Sequence, residues 1–91
     1  MASEIIELEQ GVWTQVTDAD KDGSIYHRDG RSIVVYLEAS APPTGLGGNT
    51  PVMETTQKGQ SFPYYGVAAG DNIYALAVTD NAKLVKSPKG A

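Results

Sequence analysis

The chain has 91 residues, with seven Lys and Arg, eleven Asp and Glu, one His and no Cys. A net charge of −4 argues against a nucleic-acid binder, whose first requirement is a basic face. The lack of cysteine excludes a disulfide frame, thiol catalysis and a cysteine zinc site. This length permits one domain with a small core, and a lone His with no cofactor motif points to a non-enzyme that uses no cofactor.

Glu4-Ile5-Ile6-Glu7-Leu8-Glu9-Gln10 sets Ile6, Leu8 and Gln10 against Glu7 and Glu9. The pattern fits an exposed edge strand or an acidic N-terminal arm over residues 1–10 equally well, and Gly11 stops any helix there. Acids this early leave no basic n-region for a signal peptide. The longest apolar run, Ile33 to Leu37, is far too short for a membrane span. Residues 12–17 alternate weakly, and Ser24–His27 is a short strand candidate. Ser32–Glu38 is apolar on both faces and is therefore expected to be central and covered on both sides. Asn72–Thr79 reads the same way. Val52–Gln57, Ser61–Tyr65 and Lys83–Lys86 are shorter candidates, with Pro63 marking an edge or loop. Asp29-Gly30 and Asp80-Asn81 read as tight hairpin turns, whereas residues 39–51 form a long irregular loop of the kind that carries a function. The predicted fold is all-β: a small antiparallel β-sandwich or partly open barrel of about 6–8 short strands. One β domain spans residues 11–86, and residues 87–91 form a flexible tail.

The sharpest local motif is Asp18-Ala19-Asp20-Lys21-Asp22-Gly23. It places carboxylates where a calcium loop needs its first oxygen ligands, with Gly at the sharp turn. Asp29 would have to close the shell where a longer, bidentate Glu is expected. The flanks are strand-like, so a solvated turn competes with a cation site made of Asp18, Asp20, Asp22 and Asp29. His27 alone cannot build a histidine metal site. Gly45-Leu46-Gly47-Gly48 opens no helix and so lacks what a phosphate cradle requires.

Among the aromatics, Trp13 reads as a core anchor, and Tyr36 and Tyr74 lie in the central strands. Phe62-Pro63-Tyr64-Tyr65 is the exception, a segment whose rings could be half exposed as at an interface. Ile5, Ile6 and Leu8 of the N-terminal segment join Pro42, Pro43, Phe62, Tyr64 and Tyr65 as candidate protein-contact residues. Charge is uneven. Residues 1–30 carry seven acids and two bases, whereas Lys83, Lys86 and Lys89 near the other end face no acid in residues 81–91. Head-to-tail neighbours in an assembly would find these ends complementary.

The order of these features resembles the small all-β structural proteins of tailed-bacteriophage virions. The residues that carry the resemblance are an early Gly11-Val12-Trp13 with Val16, then the apolar strand Arg31–Leu37. The loop Ala41-Pro42-Pro43-Thr44-Gly45, the segment Gly59-Gln60-Ser61-Phe62 and the late strand Asp71–Val78 follow. The likeness spans residues 10–86, although each motif also suits other small β-sandwiches. It implies a capsid decoration (cement) protein made in the host cytoplasm and carried on the virion surface. Its partner would be the major capsid protein, and its assembly a homo-oligomer, expected to be a trimer, with no nucleic acid and no membrane involved. A tail or fibre accessory subunit is the near alternative. A carbohydrate-binding or calcium-assisted adhesion module using Tyr64, Tyr65 and the Asp18–Asp22 loop is the distant one.

Overall fold

Runs of branched and aromatic residues cut short by glycine and proline favour short strands over helices, and strands are what form. The computed structural model describes residues 3–19, 21–44 and 52–88. The strands are β1 (Glu4–Leu8), β2 (Thr14–Gln15), β3 (Gly23–Asp29), β4 (Val34–Ala39), β5 (Glu54–Thr56), β6 (Ser61–Tyr64), β7 (Asn72–Ala77) and β8 (Ala82–Pro88). They make two four-stranded sheets, one ordered β1-β8-β3-β6 and the other β2-β7-β4-β5. All the strand ladders are antiparallel. The fold is thus an open sandwich rather than a barrel.

Both strands apolar on two faces, β4 and β7, take the central positions of their sheet. Pro63 sits on the edge strand β6, where its missing N–H interrupts no inner ladder. The N-terminal segment is an edge strand, β1, with Ile6 and Leu8 turned inward against Leu84 and Ala82. β8 runs on through Ser87 and Pro88, two residues into the expected tail; residues 89–91 lie outside the described residues.

The two expected hairpins are not hairpins. β3 and β4, on either side of Asp29-Gly30, belong to different sheets, as do β7 and β8 on either side of Asp80-Asn81. The chain changes sheet at six of its seven connections, and only β4 and β5 are sequence neighbours that also pair. The same Asp, Asn and Gly chemistry that closes a hairpin also turns a corner between sheets.

These two corners stack on one another. Gly30 has φ +102°, and a Cβ there would lie 2.5 Å from the Asn81 carbonyl oxygen and 2.7 Å from Ala82 Cα. Gly23 answers a different need. A Cβ on it would sit 2.7 Å from the Ser87 carbonyl oxygen and run into the Tyr64 ring, so its hydrogen is what admits that ring to the core.

Between the sheets lie Leu8, Ile25, Phe62, Tyr64 and Leu84 from one side and Val34, Tyr36, Ile73, Ala75 and Ala77 from the other. Tyr36 and Phe62 meet across the gap with ring centroids 5.0 Å apart and a 51° tilt. A polar chain also crosses it. His27 Nε2 lies 3.1 Å from the Gly30 carbonyl oxygen, which can only accept, so Nε2 carries the hydrogen. In the neutral ring Nδ1 then accepts from the Thr56 hydroxyl at 3.2 Å, and Thr56 Oγ1 in turn accepts from the Tyr36 hydroxyl at 2.8 Å. Three buried polar side chains are satisfied in one line, which fixes the relative position of β3, β4 and β5. Burial pushes the Tyr36 phenol up from 10.0 to about 12; the Thr56 hydroxyl, able to donate to a phenolate, works against this, and nearby Glu54 adds to it.

Candidate interaction surface

The candidate contact residues divide between core and surface. Phe62, Tyr64 and Leu8 are buried in the inter-sheet cluster, and this corrects their assignment as contact residues. Alternation along β6 turns Phe62 and Tyr64 inward together, and Tyr64, 1 % exposed, fills the space that Gly23 leaves. Ile6 is half-buried against the same cluster. Ile5 is 54 % exposed and Tyr65 73 % exposed. Pro42 is exposed and Pro43 half-buried on the loop after β4. Trp13, expected as a core anchor, is half-buried and lies outside the inner cluster.

The acidic loop is tied into the fold by bonds of its own. Asp22 Oδ1 accepts from the Gly66 N–H at 2.8 Å, and the Lys21 carbonyl accepts from Val67 N–H. On the other side, Thr17 Oγ1 donates to Asn72 Oδ1, and Ala19 N–H donates to the same oxygen. Ala19 takes φ 65° to make this turn. Asp20 lies outside the described residues. Asp29, the proposed closing ligand, stands at the far end of β3, six extended residues and roughly 20 Å from Gly23. It lies 3.5 Å from Arg28 Nε instead. That distance overturns a four-Asp shell, and among the described residues no group of three or more His, Cys, Asp or Glu is placed to hold a metal ion.

The uneven charge is used inside the molecule. β1 and β8 pair in register, Glu4 with Lys86 and Glu7 with Lys83. Lys86 Nζ stands 3.6 Å from Glu4 Oε1, and Lys83 Nζ stands 3.9 Å from Glu7 Oε1. The acidic front and basic end are thus cross-strand neighbours in one chain, which removes the need for a head-to-tail neighbour to match them. An open groove of about 380 Å³ beside these strands is walled by Glu7, Glu9, Asp29 and Lys83.

The outward faces of the two sheets differ in kind. On β1-β8-β3-β6 the outward positions are Ile5, Glu7, Lys83, Val85, Tyr26 and Arg28, flanked by serines. On β2-β7-β4-β5 they include Val35 opposite Leu76 and Leu37 opposite Tyr74. All four are buried, yet none belongs to the inner cluster. At one end of this face Val78 N–H donates to the Ile33 carbonyl at 3.1 Å, and these side chains are 37 % and 46 % exposed. At the other end Met53, whose N–H donates to the Tyr36 carbonyl, is 45 % exposed. The signal was in the sequence, since both central strands are apolar on both faces. What the sequence could not supply was which residues would remain at the open rim. Comparison with known protein families, curated proteins and solved structures returned no match.

Proposed function

We propose that this chain is a non-enzymatic structural protein of a tailed-phage virion, of the capsid decoration type, which seats on the major capsid protein shell in many copies. The observation that carries the reading is the exposed apolar rim of sheet β2-β7-β4-β5, where Ile33, Val78 and Met53 border outward side chains that the chain itself buries. An antiparallel sheet in a sandwich needs only one apolar face, and apolar side chains left at a surface suit contact with another protein. The resemblance over residues 10–86 supplies the identity of that protein. Repetition over a shell turns a modest contact into firm attachment.

The test is co-sedimentation of the purified protein with heads of the virus that encodes it, alongside capsid melting. Wild type should bind and raise the capsid melting temperature. Ile33→Asp with Val78→Asp should weaken binding at least tenfold while leaving the fold intact, because both positions are exposed. Absence of wild-type binding, or undiminished binding by the double variant, overturns the reading.

A further inference from the structure

A sandwich of two open sheets has four edges, and they are unequal. β2 offers two residues and β5 three, too few to template a neighbour. β6 carries Pro63, which lacks a donor. β1 offers five residues with no proline, and its ladder with β8 is uninterrupted from Glu4 to Leu8. Natural proteins blunt edges to prevent unplanned pairing, and three of these four are blunted. β1 also has its charges answered from behind, by Lys86 for Glu4 and Lys83 for Glu7. A second acidic strand can therefore approach without bare carboxylate facing bare carboxylate.

We propose that the free edge of β1 pairs antiparallel with β1 of a second copy, joining two β1-β8-β3-β6 sheets into one of eight strands. The occupant is a second copy because the edge is self-complementary in the register centred on Ile5. With Ile5 opposite Ile5, Glu4 falls opposite Ile6 and Glu7 opposite Ser3, so no carboxylate faces another. On the outward face Ile5 stands beside Val85, and Val85 beside Tyr26. Ile5 and Tyr26 are 54 % and 43 % exposed. The seam extends this row into an apolar band of six side chains across both copies. Such a contact is isologous and closes on itself as a two-fold pair, in place of the three-fold assembly that the resemblance implies. The seam lies on the opposite sheet from the shell-binding face, so either can fail without the other.

The test is light scattering after size exclusion over a range of concentrations, with two variants. Wild type should reach twice the 9.6 kDa chain mass. Ile5→Lys, which sets two ammonium groups opposite each other, should raise the dimer dissociation constant at least tenfold while the melting curve of the monomer is kept. The native chain has no cysteine, so Ile5→Cys with diamide as oxidant should yield a single disulfide-linked dimer, as directly opposed strand residues permit. A wild-type monomer at every concentration, a trimer, a dimer indifferent to Ile5→Lys, or no cross-link at Cys in place of Ile5 would each overturn the proposal.

Discussion

The two sheets are built from the same antiparallel pairing, yet their outward faces follow different rules. On β1-β8-β3-β6, charged and apolar side chains alternate in the way expected of a sheet with one side in water. Glu7 meets Lys83, and Arg28 meets Asp29. On β2-β7-β4-β5 the alternation is lost, and Val35, Leu37, Tyr74 and Leu76 are buried outside the inner cluster. The first sheet keeps charges across its outer face and exposes Ile5 and Tyr26 among them. The second has apolar side chains on both faces, and the chain itself covers the outer ones, leaving Ile33, Val78 and Met53 exposed at the rim.

Several substitutions would break or sharpen the contrast. The largest effect belongs to the corner that joins the sheets. Gly30→Ala should cost about 3 kcal/mol or more, because the new methyl meets Asn81 and Ala82 backbone at a strained φ; chemical denaturation would measure it. Next come the faces themselves. Leu76→Ala should cost about 2–3 kcal/mol, like any well-packed core leucine, whereas Tyr26→Ala on the other sheet should cost under about 1 kcal/mol. Equal losses at the two sites would erase the distinction between the faces.

A comparable effect separates the interior from both surfaces. Tyr36 keeps its proton in the folded chain up to about pH 12, against 10.0 for the ordinary phenol. Between those values the unfolded chain has released a proton that the folded chain still holds, so stability falls as pH rises through that window. The loss is on the order of 2 to 3 kcal/mol for this buried group. Tyr36→Phe should flatten the alkaline limb of the stability profile, and an unchanged limb would assign it to other groups. The smallest effect is a gain. Ala19→Gly relieves a left-handed backbone and should stabilise by about 1 kcal/mol, read as a raised melting temperature.

Strand content was legible in the sequence because Ile33–Leu37 and Ile73–Val78 have no reading other than central strands between punctuated loops. Pro63 marked its edge for a reason that holds in any sheet. The connectivity was not legible. Asp29-Gly30 and Asp80-Asn81 specify a tight reversal, and a reversal within one sheet uses the same residues as one between two. Tyr64 and Phe62 were misjudged for a related reason. Local sequence shows a proline-interrupted aromatic run, but only the register of Gly23 against Tyr64 reveals the space that takes the ring. The four-Asp shell fails on distance at Asp29, since the residues after Gly23 extend as strand instead of curling back toward Asp18.

The alternation between sheets also governs the order in which the molecule can be assembled. Almost no pair of consecutive strands forms a ladder, so an emerging chain has little local structure to rest on, and contacts distant in sequence make folding slow. β1 is the extreme case, because the partners of Ile5 and Ile6 in β8 come 80 and 78 residues later. Until β8 arrives, the segment that finishes the sandwich has no ladder to join.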